Sequence, residues 1–358
     1  MKKIITSLIC CTLQMGMAQQ VQSPSKNITL DFSLNEQGQP IYQVYYKGKA
    51  IIKPSKMGVS LKEKVALTAN FSITKTEQKT VDETWNPVLG EEATIRNHYN
   101  QATFQLTQKE TNQQLIIVFK VYDEGVAFRY EFPFQERVNY FVISDENTEF
   151  NLTGNHKTFW IPGDYDSQEY VYNETKLSEI DSSKLDLDNG IALQTILSPY
   201  RVQSPLMMKS DDGLYINIFE AAVVNYPVMH LDVDVNTFAL KANLTPNAIG
   251  DKAYLRTPSM TPWRTVMVSD DARDIVGSKL ILNLNEPNKL DDTSWIKPMK
   301  YVGIWWEMQI GMSTWDYSGS QSAQNAGDTL LASGKHGATT EKTKYYIDFA
   351  AKHGFDGV

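Results

Sequence analysis

Cysteine is nearly absent from this sequence, which has two among its 358 residues. Both of them, Cys10 and Cys11, precede Gln19 and lie in a stretch that we predict to be removed from the mature chain. A mature chain without cysteine cannot form disulfides, use a thiolate as a nucleophile or bind zinc through sulfur. These three kinds of chemistry are therefore excluded.

Positive charge is also scarce. The sequence has 34 lysines and arginines against 42 aspartates and glutamates, and its formal net charge is -8. Nucleic-acid binding depends on clustered basic side chains that neutralise phosphates, so no nucleic-acid partner is expected. A Gly-x-Ser-x-Gly elbow, a phosphate-binding glycine loop and a His-Glu-x-x-His motif are missing too. Serine-hydrolase, nucleotide-dependent and histidine-ligated zinc functions therefore have no support.

Long apolar runs are missing as well, since no stretch reaches the roughly 18 residues that a membrane-spanning helix needs. The first residues place Lys2 and Lys3 before a short apolar run that ends in Gly16-Met17-Ala18. That layout is typical of a secretory signal peptide. We predict a signal peptide over residues 1–18, cleavage after Ala18, and a secreted protein located in the periplasm. The alternative is that the run forms a buried N-terminal strand.

Short stretches of alternating apolar and polar residues fill the sequence from Gln19 to Pro287. Examples are ITLDFSL, IYQVYY, VAFRYEF and LYINIF, and turns containing Asn, Asp, Gly or Pro separate them. This alternation is typical of strands that bury one face. The clearest hairpin is FKVYDEGVAFRYEF, with Asp123-Glu124-Gly125 as its turn. Residues 19–287 are therefore predicted to form a mainly β domain, a large antiparallel sandwich.

The pattern changes after Pro287, where strands give way to mixed elements. DDTSWI is typical of a short connecting helix, which we place in residues 288–298 as a linker. KYVGIWWEM is a continuous apolar run suited to a strand buried on both faces. A long loop follows, and Thr340 can then cap a helix that His353-Gly354 closes. The apolar face of that helix is Tyr345, Ile347, Phe349 and Ala350.

The last four residues complete this order of elements, because Phe355-Asp356-Gly357-Val358 has the pattern of a new strand. A strand, a helix and a second strand after an all-β domain is how a (β/α) barrel begins. Residues 299–358 are predicted to be the start of a (β/α)8 catalytic barrel. One such unit cannot close a sheet, so we expect a truncated barrel and a chain that is catalytically inactive by itself.

Three carboxylates crowd the segment FWIPGDYDSQEYVY. Asp164, Asp166 and Glu169 lie around a Pro-Gly turn, and hard oxygen ligands of this kind suit calcium. The spacing lacks the glycine and the distant glutamate of an EF-hand loop. From the residues alone, a solvated acidic loop is the alternative to a metal site. DLDNG, residues 186–190, is interpreted as a turn.

A second acidic segment, DETWNPVLGEEATIRNHYN, combines carboxylates with aromatic rings. Paired carboxylates and flat rings are the groups that sugar chemistry uses, for acid and base catalysis and for stacking. The alternative is an ion-pair network at the edge of a sheet. The residues concerned are Glu83, Trp85, Glu91, Glu92, Arg96, His98 and Tyr99.

Aromatic residues also mark the end of the first predicted barrel strand. GIWWEM places Trp305, Trp306 and Glu307 at its C-terminal end, where active sites of this architecture form. The loop that follows is long, rich in Gly and Ser, and carries Trp315 and Tyr317. Loops of this length in compact domains are often functional. We therefore expect this end of the segment to contact a ligand.

At these same segments the sequence resembles glycoside hydrolase family 97, and most closely the calcium-dependent α-glucosidases of that family. The resemblance covers essentially the whole mature sequence. It implies a β-super-sandwich followed by a (β/α)8 barrel, and an enzyme that cleaves α-glucosidic bonds of starch-derived oligosaccharides with inversion. The similarity is carried by segments in the same order along the chain, among them DETWNPVLGEEATIRNHYN, FKVYDEGVAFRYEFP, FWIPGDYDSQEY, LMMKSDDGLYIN, TPWRTVMVSDDARDIV and KYVGIWWEM.

The resemblance also implies roles for individual residues. Glu169, in the Gln-Glu-Tyr motif, would reach the active-site Ca²⁺ from the N-terminal domain, with Asp164 and Asp166 shaping the turn. Trp305 would line the sugar site. The catalytic acid, the base or nucleophile and the other calcium ligands are expected downstream of Val358. Two alternatives stay open: a retaining α-galactosidase of the same family, and a carbohydrate-binding β-sandwich without catalysis.

Overall fold

The structure, a computed structural model, describes residues 18–187, 195–315 and 336–358. The chain divides into two compact units, Met1–Pro287 and Asn288–Val358. The predicted signal peptide lies almost wholly outside the described residues. Among the helices in the three described ranges, none is long and apolar enough to cross a membrane.

The elements are numbered here in chain order. The strands are β1 (Gln19–Gln22), β2 (Ile28–Leu34), β3 (Pro40–Tyr46), β4 (Lys49–Lys56), β5 (Val59–Leu61), β6 (Phe71–Trp85), β7 (Ile95–Gln108), β8 (Gln114–Val121), β9 (Gly125–Phe132), β10 (Tyr140–Glu146), β11 (Glu149–Leu152), β12 (Lys157–Trp160), β13 (Asn173–Lys176), β14 (Arg201–Gln203), β15 (Leu206–Lys209), β16 (Tyr215–Ala221), β17 (Met229–Val233), β18 (Ala239–Leu244), β19 (Ala253–Arg256), β20 (Ser259–Met260) and β21 (Trp263–Ser269). The α-helices are α1 (Ala272–Gly277), α2 (Leu280–Asn283), α3 (Trp306–Gln309) and α4 (Thr340–His353), and short 3-10 helices span Glu136–Val138, Leu177–Glu179 and Ser182–Lys184.

These strands belong to two large sheets and one small sheet. The eight-stranded sheet has the order β1-β2-β3-β4-β11-β18-β17-β14. The ten-stranded sheet has the order β13-β12-β15-β16-β21-β9-β8-β7-β6, with β20 beside β9, and the small sheet is β19-β10-β5. Neighbouring strands in all three sheets are antiparallel. The predicted mainly β, antiparallel sandwich is confirmed.

The two large sheets share one hydrophobic core. Along β2, Ile28, Leu30 and Phe32 are fully buried, and the residues between them are partly exposed. Phe32 stacks on Phe104 of β7, with the ring centroids 4.3 Å apart. The alternation along strands such as β2 therefore places one face in the core and the other towards solvent. Strand β21 differs, because all of its residues are buried and a second hydrophobic cluster, which contains Trp263 and Met267, packs on its other face.

The hairpin expected from FKVYDEGVAFRYEF is present as β8 and β9. Val121 pairs with Val126, and the Tyr122 N–H donates to the Gly125 carbonyl over 2.8 Å. Gly125 starts β9 against β21, where a Cβ would lie 2.8 Å from the Cα of Met267. Only glycine fits so close an approach of two backbones, which explains why this turn ends in glycine.

In the second unit the predicted first barrel strand is wrong. KYVGIWWEM contributes a single bridge residue, Tyr301, which pairs in parallel with Gly357, and its end forms the short helix α3. Trp306 is 68% exposed. A strand buried on both faces needs a neighbour on each side, and among the described residues only the 355–358 segment pairs with it. The (β/α)8 barrel therefore stays a prediction.

The linker helix expected in residues 288–298 is also wrong, because this stretch has turns and no helix. The Asp292 carboxylate accepts from the Ser294 N–H at 2.9 Å, and Trp295 donates its indole N–H to the Asp292 carbonyl. Such local side-chain bonds offer the backbone an alternative to a helix.

Helix α4 follows the prediction, with a change at its start. The capping residue is Thr339, not Thr340, and its hydroxyl accepts from the Lys342 N–H. Gly354 ends the helix in the left-handed region with a φ of 70°. Of the expected apolar face, only Ala350 is buried, while Tyr345 and its neighbours Ile347 and Phe349 are exposed.

Candidate functional site

The loop that carries Glu169 connects β12 to β13 at one edge of the ten-stranded sheet. It then crosses to the other sheet, because Pro162 forms a bridge with Val202 of β14. Asp164 forms a second bridge, with Ile196. Both large sheets therefore anchor this loop, which gives a surface segment a rigid base.

Asp164 organises the loop from inside. Its carboxylate is 2% exposed and accepts from the N–H groups of Asp166, at 2.8 Å, and Thr195, at 3.1 Å. Its other oxygen accepts from the hydroxyl of Tyr170, and burial together with this carboxylate raises the pKa of Tyr170, which keeps the hydroxyl a donor. Asp166 accepts from the hydroxyl of Thr195. These bonds fit the interpretation that the two aspartates shape the turn.

Gln203 holds the same loop from β14. It is 4% exposed, and its side-chain amide donates to the carbonyls of Asp164, at 3.1 Å, and Ser167, at 2.8 Å. The Glu169 N–H donates to the Ser167 hydroxyl at 3.1 Å, while the residue itself is exposed. Glu169 is therefore an exposed carboxylate on a backbone that is fixed on both sides.

An exposed carboxylate on a fixed backbone fits the role of one calcium ligand, because Ca²⁺ takes several oxygen ligands. Within residues 18–187, 195–315 and 336–358, no three His, Cys, Asp or Glu side chains come together as a metal site. Glu169 would thus supply one ligand of a site that other residues complete. The calcium site stays a prediction.

Arg201 supports the loop in a way that the sequence did not predict. Its guanidinium pairs with Asp232 at 2.6 Å and donates to the Tyr165 hydroxyl at 2.7 Å. Gly163 crosses over this side chain, where a Cβ would lie 2.9 Å from the Arg201 Cδ. Arg201, Gln203 and Asp232 come from β14 and β17, far along the chain from the loop. Only the pairing of strands in the folded structure shows that these residues support the Glu169 loop.

A fully buried charge cluster lies deeper in the first unit, and we name it the Arg264 cluster. Arg264 of β21 is 0% exposed and donates to both oxygens of Glu146, at 2.8 and 2.7 Å, and to Glu220 at 2.5 Å. Burial would raise the pKa of Glu146, but the charge of Arg264 and the hydrogen bonds that this carboxylate accepts together outweigh burial and lower that pKa. Burial raises the pKa of Glu220 despite the same partner.

The segment DETWNPVLGEEATIRNHYN forms the ends of the hairpin β6–β7. Arg96 makes two bonds of 2.7 Å to Asp82, and Glu92 pairs with Lys279 at 2.7 Å. Glu83 accepts from the Asn97 side chain at 2.9 Å. These pairings favour the ion-pair network over paired catalytic carboxylates. The other predicted members, Trp85, Glu91, His98 and Tyr99, lie on the same hairpin.

In the second unit, Trp305 precedes α3 and is 53% exposed. Its ring centroid lies 4.8 Å from that of Trp315, with the planes tilted by 59°. Glu307 is engaged, since it pairs with Lys342 at 2.8 Å and accepts from the Tyr346 hydroxyl at 2.7 Å. The bond from Lys342 is the main reason why the pKa of Glu307 is lowered. Trp305 thus offers an exposed aromatic surface, as a sugar-stacking residue requires.

Two predicted features lie outside the described residues. One is Tyr317 with most of the loop after α3. The other is the turn DLDNG beyond Leu187.

Comparison with known proteins matches most of the chain to one protein family. The family model described as Glycosyl-hydrolase 97 N-terminal matches residues 21–287. A retaining α-galactosidase from Bacteroides thetaiotaomicron is 25% identical over 392 residues, which cover 100% of this chain and 52% of that protein.

Solved structures give the same family. A variant of a glycoside hydrolase family 97 enzyme from Pseudoalteromonas sp. strain K8 is 37% identical, with a TM-score of 0.78, and the match covers 95% of this chain and 46% of that one. Structures of the family 97 enzyme from that strain in complex with panose and with acarbose give TM-scores of 0.76. A β-arabinopyranosidase, 20% identical with a TM-score of 0.70, shares the fold. The chain spans about half the length of these relatives.

Proposed function

The chain belongs to glycoside hydrolase family 97, and we propose that the full-length product of its gene hydrolyses α-glucosidic bonds of oligosaccharides. The observation that carries this proposal is the 37% identity to an enzyme whose structures hold panose and acarbose. Panose is an α-linked glucose trisaccharide and acarbose mimics an α-linked glucose oligosaccharide, so the likeness favours α-glucosides. The proposed stereochemistry is inversion.

A retaining α-galactosidase is the second candidate, because the curated relative from Bacteroides thetaiotaomicron carries that name. The two candidates differ in substrate and product. We expect the full-length product of the gene to cleave an aryl α-glucoside faster than the matching aryl α-galactoside, and the first sugar released to be the β-anomer. Faster cleavage of the galactoside with release of the α-anomer would replace this proposal with the second candidate.

Calcium is proposed as the cofactor, with Glu169 as one of its ligands. When bound, Ca²⁺ supplies a local positive charge that favours negative charge developing on the substrate. The support is the exposed position of Glu169 on a loop whose backbone is held by hydrogen bonds from Asp164 and Gln203.

A conservative substitution tests this role. Glu169→Gln keeps the shape of the side chain and removes one anionic oxygen, so calcium affinity should fall. Calorimetric titration with calcium and activity after chelation and calcium return would measure this in the full-length product. Glu110→Gln, at another exposed turn, is the matched control and should change neither. Equal calcium affinity of the Glu169→Gln variant and the wild type would exclude the metal role.

Trp305 is proposed as a sugar-contacting residue. Trp305→Ala should raise KM for oligosaccharides by about two- to tenfold, since a stacking ring contributes roughly 0.5–1.5 kcal/mol. Trp295→Ala, which removes another exposed tryptophan from the same unit, is the control. If both variants show the same KM as the wild type, Trp305 does not contact the sugar.

Secretion to the periplasm is proposed from the N-terminal sequence. N-terminal sequencing of the protein from the periplasmic fraction of its native host should begin at Gln19. A mature protein that begins at Met1 would contradict the proposal.

A further inference from the structure

A cavity of about 310 Å³ lies in the first unit beside the loop that carries Glu169, and we name it the His230 cavity. Residues from β14, β16, β17 and α2 line it, together with Gln168 of the loop. Pockets for small molecules start at about 300 Å³. A volume at the lower end of that range suits a small ligand such as a single sugar ring.

His230 gives this cavity an unsatisfied polar group. Its side chain is 3% exposed and lines the cavity, and its Nδ1 has no hydrogen-bond partner among the described residues. Burial is the main reason why its pKa is lowered to about 4, so the imidazole is neutral at pH 7. A neutral imidazole has one donor and one acceptor, and a buried polar atom without a partner is unfavourable. A ligand that supplies a hydrogen bond here would remove that cost.

Apart from the exposed Gln168, the other polar groups in the wall are already engaged, and this limits the charge of a ligand. Glu220 accepts from Arg264 and from the Met229 N–H, and the Ser204 hydroxyl donates to the Met229 carbonyl. An anion would face the Glu220 carboxylate without a free cation among the lining residues. A neutral molecule with several hydroxyls meets no such penalty, since hydroxyls donate and accept.

The remaining wall is apolar and includes Phe219, Val223, Val228 and Ile281. A pyranose has both properties, because its hydroxyls form hydrogen bonds in the ring plane and its C–H faces are apolar. The size of the cavity and the charge and polarity of its wall therefore favour a neutral pyranose.

We propose that the His230 cavity is a binding subsite for a single neutral pyranose in the N-terminal unit. The choice of a sugar rests on the proposed function, while the neutral charge and the size come from the cavity itself. Since Gln168 lies in the wall and Glu169 follows it directly, an occupied subsite contacts the loop that carries the proposed calcium ligand.

The test uses the 358-residue chain and measures binding, not hydrolysis. Methyl α-D-glucoside, methyl α-D-galactoside and glucuronate are compared by saturation-transfer NMR. We expect millimolar binding of at least one neutral pyranoside and at least tenfold weaker binding of glucuronate. Binding of either neutral sugar supports the subsite, whichever sugar the hydrolytic site prefers, so this result is independent of the proposed function.

A pair of neighbouring residues gives a matched control. Val223→Trp places a large ring in the cavity wall, whereas Val224→Trp adds the same ring at a 71% exposed position outside it. We expect at least tenfold weaker binding in the first variant and unchanged binding in the second. Equal binding in both variants, or a cavity that holds only water, would overturn the proposal.

One measurement is made on the wild-type chain and uses a wall variant only to assign a resonance. The ring resonances of His230 in the wild-type chain should shift on titration with the pyranoside, and those of the exposed His353 should not. His230→Gln assigns the resonance. Sugar binding that leaves the His230 resonances unmoved would place the sugar elsewhere and overturn the proposal.

Discussion

Replacement of Arg264 by methionine should be among the most damaging single changes in the first unit. The side chain is fully buried and makes three charge-assisted bonds to Glu146 and Glu220. Arg264→Met removes the cation and leaves two buried carboxyl groups without a countercharge, although each keeps a neutral hydrogen-bond donor. Removal of one member of a buried ion pair costs about 3–5 kcal/mol in free energy of unfolding. The lower part of that range applies if one carboxyl group takes up a proton.

The pH dependence identifies the cause. Without Arg264, burial raises the pKa of both carboxyl groups above their unfolded value, which is about 4.3. When folding raises the pKa of a carboxyl group, the protein loses stability as the pH increases through that pKa. The deficit of the variant should therefore be larger at pH 7 than at pH 5. In the wild type, Glu146 behaves in the opposite sense, because its pKa is lowered.

Urea unfolding followed by tryptophan fluorescence measures both effects, because Trp160 and Trp263 are buried in this unit. With a slope of about 3 kcal/mol per molar urea, the midpoint should fall by about 1–1.5 M at pH 7. Arg273→Met removes an arginine that is 89% exposed and should leave the midpoint unchanged. A deficit below about 1 kcal/mol for Arg264→Met, or one that does not change with pH, would refute the reasoning.

Three further changes test other parts of the first unit. Lys120→Met should raise the free energy of unfolding by about 1–2 kcal/mol at pH 7, because burial and Arg129 lower the pKa of Lys120 to about 8. Urea titrations should show that this gain vanishes above about pH 10.5. When the pH is lowered from about 6.5 to 4, the His230→Gln variant should lose less free energy of unfolding than the wild type, since His230 gains a proton on unfolding in that range. Parallel plots of unfolding free energy against pH for the two proteins would contradict this. Gly163→Ala should lower the free energy of unfolding by about 1–3 kcal/mol, because the added methyl group clashes with Arg201. Thermal melts measure this loss, and an unchanged melting temperature would contradict it.

The sequence was sufficient to predict the sandwich because strand alternation is local. Each strand such as β2 carries its own pattern of buried and exposed residues, and the turn Asp123-Glu124-Gly125 joins two strands that follow each other in the chain. The expected role of Asp164 in shaping its loop also depended on neighbours within a few residues. Local patterns of this kind can be read directly from the chain.

The parts that could not be predicted depend on long-range pairing. Gln203 and Arg201 support the Glu169 loop only because β14 lies beside it, and no motif connects them in the sequence. The prediction of a strand at KYVGIWWEM was wrong for a related reason. An apolar run becomes a buried strand only where other strands flank it, and the run itself carries no information about those neighbours.

The hairpin β6–β7 has a consequence for how the molecule behaves at high concentration. β6 spans Phe71–Trp85 and is the last strand of the ten-stranded sheet. Among the described residues it pairs only with β7, so its other side can offer backbone groups to another strand. Long open edges of this kind are where chains add to one another and aggregate. Most side chains of β6 are exposed, and Lys75, Glu77 and Lys79 place alternating charges along it. A second copy docking there would have to desolvate these charges, so the edge can stay long and open without recruiting another chain.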